Sequence, residues 1–503
     1  MAGSAVLGVH MNLAEKAPDP DAPATSLRGR VRRSTAVSVG GQLLINAIQL
    51  GSNLVLTRLL LPEAFGLMAI VNFAVDSLRQ VSSIGIQPAV IRSPNGAQSN
   101  FIHTAWAMQA LRGVLLFVLG LALAYPLSVF YEEGRLAGLM AAASLGTLIL
   151  GGQSINLATN ARALHLERTV AIYAAARIVA TATTIAYAYV YRDVWAIVVG
   201  VIAGNLLRVL LSHLALPGER FRLQWHAESA REILNFGKWI LVSTLLSFVA
   251  LRLDVAFLGR LLPLELLGVY SVGILVPGII RKVASIGIQS VLMPALAEVH
   301  RSTEATLSDA LDTGRRILLP LGTLFTVGCV SAAPAFFTLL YDERYADAAW
   351  IAQLAAIAFW FDFLQDSSGR ALLVLGHSRG WAAVVGIRMT ATLVGVIGGY
   401  SVAGLPGVLV GVGLGSACGY LSLCLALRKE GLHVFRKDAL QGIITLAAAL
   451  AIGLSPRFLT ITPLSDALVT LTVSLIFLIP FGLWTLHRII DASRGEENPS
   501  TLR

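Results

Sequence analysis

Polar residues divide the chain into apolar stretches of about twenty residues, each broken by charge, proline or glycine. A helix of that length crosses a bilayer core roughly 30 Å thick. Fourteen such spans are expected, near residues 36–60, 66–91, 101–125, 136–160, 169–190, 194–216, 236–258, 265–293, 315–340, 349–375, 381–402, 406–427, 439–455 and 465–487. The pattern predicts an all-α polytopic membrane protein.

The stretch Arg58–Gln87 occurs twice. Moved along by 202 residues it falls, without a gap, on Arg260–Gln289, and 12 of its 30 positions are identical. VSSIGIQ (81–87) becomes VASIGIQ (283–289), and Arg58, Glu63, Gly66 and Arg79 fall on Arg260, Glu265, Gly268 and Arg281. Shared leucines could come from composition alone, but arginines, a glutamate and glycines in fixed register point to duplication. Span 1 matches span 7 after an even number of crossings, so both copies enter from the same side, as in parallel-repeat transporters. The expected division is a tail at 1–33, a six-span half at 34–216, a basic linker at 217–235, a second half at 236–432, two added spans within 433–490 and a tail at 491–503. Residues 1–33 lack the apolar core of a signal peptide and suggest a disordered tail, in which Met11 offers an alternative start.

Composition agrees with a membrane protein: 56% of residues are apolar, 13% are charged, and mean hydropathy is +0.73. The net charge of +9 does not suggest nucleic acid, because no soluble basic face carries it. Counting lysines and arginines with the tail inside puts 24 of 38 in the inner tails and loops. Six lie on the opposite side: Arg58, Arg135, Arg192, Arg260, Arg344 and Arg457. The other eight lie within spans. This bias places both termini in the cytoplasm. Cys329, Cys418 and Cys424 lie in apolar runs and are expected to be buried; no Cys/His spacing suggests a metal.

Charges deep in a span cost about 2.5–3.5 kcal/mol each on insertion scales, so they should face a cavity or a partner. Arg177, Arg208 and Arg388 lie close enough to the inner ends to snorkel. Arg79, Arg112 and the pair Arg281/Lys282 fall near mid-span. As repeat mates, Arg79 and Arg281 would form a cationic patch able to hold a phosphate or diphosphate. Asp76, three residues before Arg79, could instead neutralise it locally. Arg281 and Lys282 have no acid so placed.

Gln42, Asn46, Gln49 and Asn53 form a polar stripe on one face of span 1, suited to interhelical bonding or to a wet lining. Span 7 has Arg252 and Asp254 instead. Asp362 and Asp366 share a face of span 10 and would serve as a coupling-ion site, as would Asp76 and Asp254, or pair with arginines across the bundle. The duplicated turns, TRLLLPEAFG (57–66) and GRLLPLELLG (259–268), place arginines at helix ends where they complement the helix dipole. An outer gate of Arg58, Glu63, Arg260 and Glu265 is the functional alternative.

No GxxxxGK[ST], HExxH or GxSxG is present, and the outer loops are short. Neither a cofactor nor a metal is expected. LTRLLLPEAFGLMAIVNFAVDSLRQVSSIGIQPAVIR (56–92) resembles the first hairpin of the Wzx/WzxC-like polysaccharide flippases of the multidrug/oligosaccharidyl-lipid/polysaccharide (MOP) superfamily. FIHTAWAMQALRGVLLFVLGLALAYPLSVFY (101–131), YDERYADAAW (341–350) and GRALLVLGHSR (ending at Arg379) match the same branch. The resemblance implies two six-helix lobes in a V with two added helices. It also implies translocation of an undecaprenyl-diphosphate-linked oligosaccharide across the bacterial inner membrane by alternating access. Arg79, Arg112, Arg252, Arg281 and Lys282 are the positions that could meet the diphosphate. Membrane lipid would be a partner, and a polysaccharide polymerase and co-polymerase would be pathway partners. A small-molecule antiporter of the same superfamily and a membrane glycan polymerase remain as rivals.

Overall fold

The structure, a computed structural model, describes residues 27–163, 165–218, 222–288, 292, 296, 307–375 and 377–454. Among them every regular element is helical. In chain order these are α1 (Leu27–Leu59), α2 (Pro62–Val81), α3 (Ile86–Arg92), α4 (Ser99–Phe130), α5 (Arg135–Gly151), α6 (Asn156–Arg162), α7 (Glu167–Tyr191) and α8 (Trp195–Leu214). After the linker come α9 (Ala227–Leu261), α10 (Leu264–Gly273), α11 (Leu275–Gly287), α12 (Leu307–Leu340), α13 (Ala348–Val374), α14 (Ser378–Lys429) and α15 (Phe435–Leu454). Thirteen of the fourteen expected spans coincide with these helices; the last, at 465–487, lies outside the described residues.

Among the described residues eight helices are each long and apolar enough to cross a membrane, and α5 with α6, bent by 57°, makes a ninth if the pair is one span. One of the eight is two spans: α14 breaks at Ala403 and Gly404 (φ +61°), just before Pro406. Glycine takes that left-handed conformation without steric cost, so the chain reverses and the limbs run back along each other. They pack through small residues, since a Cβ on Gly399 would lie 2.1 Å from the Gly407 carbonyl oxygen. The chain is a multi-pass membrane protein. At its start the structure corrects the sequence reading, because residues 27–33, expected in the disordered tail, already belong to α1.

The two ends of the bundle differ. Short connections at 60–61, 131–134, 192–194, 262–263 and 341–347 lie at one end, hereafter the turn end. Connections at 93–98, 165–166, 215–218, 222–226 and 430–434 lie at the other, the linker end.

The repeat mates α2 and α10 pack against each other. A Cβ on Gly66 would lie 2.0 Å from the Leu264 carbonyl oxygen, and one on Gly268 would lie 1.8 Å from that of Pro62. Shifting by 202 exchanges Pro62 with Leu264 and Gly66 with Gly268, so the contact is reciprocal. The two copies meet across a pseudo-two-fold axis, and hydrogen is the only side chain that fits at its centre.

The copies differ further along. In the first, the helix stops at Val81, and Gly85 takes the left-handed conformation (φ +60°) before α3 begins. The Ser82 hydroxyl donates to the Leu78 carbonyl, while Arg112 donates to the Arg79 carbonyl (2.6 Å) and to Ser82 Oγ (2.9 Å). Those bonds satisfy carbonyls that a helix end leaves open. The second copy has Ala284 at the position of Ser82, and its helix runs on to Gly287.

Candidate functional site: a cationic centre at broken helices

The first half holds two broken spans, α2–α3 and α5–α6. Irregular backbone at membrane depth is tolerated where protein or a cavity satisfies it. Gln109 donates to the Gln153 carbonyl (2.7 Å), and the Ser154 amide donates to the buried Ser212 hydroxyl (3.0 Å). Arg79 occupies the last turn of α2, where its charge complements the helix C-terminus. It is at mid-span because the span breaks there.

The repeat-mate arginines have matched surroundings. Arg79 lies 3.7 Å from Asp76, and Arg281 lies 3.7 Å from Asp362; the two arginine side chains are 36% and 40% exposed. Each is therefore loosely held by one carboxylate and open on another side. The acid has a different origin in each half: Asp76 comes from the same helix, Asp362 from α13. No acid stands three residues before Arg281 on its own helix; its partner comes from across the bundle, one of the two alternatives open for Asp362. Lys282 is exposed on α11 and within electrostatic reach of Arg177 on α7, in the other half.

The other candidate cations are more tightly engaged. Arg112 caps the end of α2. Arg208 stacks over the Tyr173 ring at 4.3 Å. Arg388, expected to snorkel, is only 13% exposed and pairs with Asp362 at 2.7 Å, so the structure places it in a buried ion pair. The side chain of Arg252 lies outside the described residues.

The candidate carboxylates all have partners. Asp254 accepts a hydrogen bond from the Tyr270 hydroxyl. Asp366 accepts from Ser285 Oγ (2.9 Å) and from Arg370 (2.5 Å). Asp362 thus pairs with arginines across the bundle, whereas the ion pair of Asp366 is with Arg370 on its own helix. Among the described residues no group of three or more His, Cys, Asp or Glu side chains gathers as a metal site. Of the cysteines, Cys329 and Cys424 are buried as expected, whereas Cys418 is exposed.

The polar stripe of α1 is bonded partly to itself. Gln42 donates to Asn46 Oδ1 (2.9 Å), Gln49 is half-buried, and Asn53 Oδ1 accepts from the Tyr341 hydroxyl (2.8 Å).

At the turn end the four proposed gate residues do not pair with one another. Glu63 is bonded by Arg135, Arg260 pairs with Glu132 at 2.5 Å, Arg58 donates to the Leu340 carbonyl (3.4 Å), and Glu265 is exposed. Arg135 also grips Glu133 at 2.9 Å, and that hydrogen bond holds the Glu133 carboxyl below the usual glutamate range. Contacts between the halves instead join two motifs that the sequence analysis quoted separately. Tyr341 bonds Asn53, Arg344 reaches the Thr57 carbonyl (3.5 Å), and Tyr345 stacks edge-on against Phe65 at 6.1 Å. The seal was not apparent in the sequence, because nothing there pairs TRLLLPEAFG with YDERYADAAW.

A family model described as "Polysaccharide biosynthesis protein" matches residues 55–349, more than half the chain and both copies of the repeat. The chain belongs to that family. Two curated relatives agree with it. The teichuronic acid biosynthesis protein TuaB of Bacillus subtilis (strain 168) is 22% identical over 308 residues, which is 59% of this chain and 62% of that protein. The amylovoran biosynthesis protein AmsL of Erwinia amylovora is 24% identical over 271 residues, which is 53% of this chain and 68% of that protein. The match to TuaB thus spans less than two thirds of its length.

Among solved structures, a lipid II flippase MurJ in an inward closed conformation superposes with a TM-score of 0.69, covering 91% of this chain and all of that one at 12% identity. A multidrug-resistance MATE transporter of the MOP superfamily gives 0.58 over 78% of this chain and 98% of that one, at 14% identity. The fold of this family member is therefore that of the MOP superfamily transporters.

Proposed function

We propose that the protein flips an undecaprenyl-diphosphate-linked oligosaccharide across the bacterial cytoplasmic membrane by alternating access. The observation carrying this reading is the matched pair Arg79 and Arg281. Two guanidiniums related by the repeat, each half-open and each held by one carboxylate at 3.7 Å, suit a ligand with two adjacent phosphates. Guanidinium is the preferred partner of phosphate oxygens because its donors form a planar fork. Membership of a polysaccharide biosynthesis family supports a saccharide cargo, and the relatives are named for teichuronic acid and amylovoran biosynthesis.

In this reading residues 34–216 and 236–432 are the two lobes, joined by the linker 217–235, with residues 433–490 added beside them. The linker end and both termini face the cytoplasm. Arg79, Arg281 and Lys282 meet the diphosphate, with Arg112 and Arg252 as further cations near it, and the polar face of α1 meets sugar hydroxyls. The seal at the turn end opens when the lobes rock. A polymerase and co-polymerase would receive the product.

Complementation of a strain lacking the protein tests the reading. An Arg79→Ala/Arg281→Ala double variant that inserts normally should reduce polymer export at least tenfold, with lipid-linked units accumulating on the cytoplasmic face. Normal export by that variant would end the proposal. The MATE-like fold supports a second reading, small-molecule antiport, which predicts altered drug tolerance and unchanged lipid-linked intermediates.

A further inference from the structure

We propose that Asp362 is an internal competitor for the ligand's phosphate: it holds Arg281 between transport events and gives it up when the diphosphate arrives. This deepens the functional reading above and rests on it. The geometry is asymmetric in a useful way. Asp362 is 14% exposed and lies between two arginines, Arg388 at 2.7 Å and Arg281 at 3.7 Å. Arg388 is itself only 13% exposed, whereas Arg281 is 40% exposed. One guanidinium is thus a permanent partner and the other is loosely tethered.

A buried carboxylate that loses its sole cation becomes an uncompensated charge, which is strongly unfavourable. Asp362 avoids this because Arg388 remains when Arg281 leaves. Transfer of Arg281 from carboxylate to phosphate therefore exchanges one ion pair for another and strands neither group. Asp366 keeps α11 in place meanwhile: its carboxylate accepts from Ser285, one helical turn beyond Arg281, and from Arg370. Only the first of the two tethers between α11 and α13 has to open.

The exchange also favours release. A site that held a diphosphate with bare guanidiniums would bind it tightly and turn over slowly, and binding that accelerates transport must not be uniform along the path. Asp362 returns to Arg281 as the phosphate departs, which lowers the affinity and resets the site. It acts through Arg281 and is a positioning residue. In the first half, Asp76 holds Arg79 from the same helix and is 40% exposed, so water can solvate it on release. The two halves reach the same end by different means.

The test is equilibrium binding of radiolabelled farnesyl diphosphate to the full chain in nanodiscs, with farnesol as the control. Arg281→Gln should weaken binding about tenfold, the factor one charge-assisted hydrogen bond is worth. Asp362→Asn should tighten it about fivefold or more while slowing lipid-linked oligosaccharide transport in proteoliposomes. Arg388→Gln leaves Arg281 as the only cation beside Asp362 and should weaken binding several-fold. Asp362→Asn/Arg388→Gln should likewise tighten binding about fivefold or more over wild type. It strands no buried charge, so it carries the test if Asp362→Asn fails to fold.

Wild-type protein that binds farnesyl diphosphate no better than farnesol would overturn the diphosphate reading itself. If wild type binds and Arg281→Gln weakens it, but both variants lacking Asp362 stay within about twofold of wild type, only the exchange is overturned. A double variant as weak as Arg388→Gln would make Arg388 a direct ligand and would also overturn the exchange.

Discussion

Arg315 and Asp438 illustrate what a buried charge requires. Their side chains are 4% and 1% exposed and lie 2.5 Å apart, joining α12 to α15, and the Tyr420 hydroxyl also donates to Asp438. They line a cavity of about 210 Å³ whose lining includes neither Arg79 nor Arg281. Breaking a buried pair by removing one partner costs about 3–5 kcal/mol, while replacing both with apolar groups is often neutral. Asp438→Asn should therefore lower the melting temperature in detergent markedly, and an Arg315→Met/Asp438→Leu double variant should recover most of the loss. A double variant no better than Asp438→Asn would assign the pair a role beyond mutual neutralisation.

The exposed clamp at the turn end behaves differently. The hydrogen bond from Arg135 depresses the Glu133 pKa, so its contribution to stability is present above the ordinary glutamate value and fades as pH falls through the folded one. Arg135→Gln should lower the melting temperature slightly at pH about 6 and progressively less as pH falls below an ordinary glutamate value of about 4.3. A gap that does not narrow as pH falls would show that Arg135 acts through packing instead.

Among the elements, the spans themselves were legible in the sequence because a twenty-residue apolar run has few other uses in water or lipid. Their breaks were not. The same heptapeptide pattern stops a helix after Val81 and continues one through Gly287. The difference lies in Ser82 and in Arg112, which arrives from another helix 30 residues away. Ionic partners were legible only when local. Asp76 and Arg79 are three apart on one helix face, whereas Asp362 comes to Arg281 and Arg388 from another element. Arg112→Leu should remove the charged donor from the Arg79 carbonyl and from Ser82 Oγ, leaving the end of α2 to the Ser82 hydroxyl and amide alone, at a cost of about 1–3 kcal/mol. Hydrogen exchange at Leu78–Ser82 should rise in that variant and stay unchanged at the corresponding Ile280–Ala284. Equal rises in both segments would mean that Arg112 stabilises the bundle generally and not the end of α2.

For the whole molecule, the duplication is the feature that sequence and structure describe in the same terms. Gly66 and Gly268 were matched by register alone, and they meet face to face between α2 and α10. Each presents hydrogen to the other copy's backbone at a separation that leaves no space for a methyl group. The seal around them includes Tyr341 on Asn53 and Tyr345 on Phe65, so the halves touch at the turn end through backbone at the centre and side chains around it. A side chain at either glycine must then push the halves apart at that end. Gly66→Val and Gly268→Val should each favour a conformation open at the turn end and reduce transport. On a background without Cys329, Cys418 and Cys424, a cysteine in place of Asn53 should react faster with a membrane-impermeant maleimide in the valine variants. The pseudo-symmetry makes the two substitutions equivalent, so their effects should match in sign and size. A strong response to only one would mean that the lobes part about a different point, and the reciprocal contact would then be packing without a role in gating.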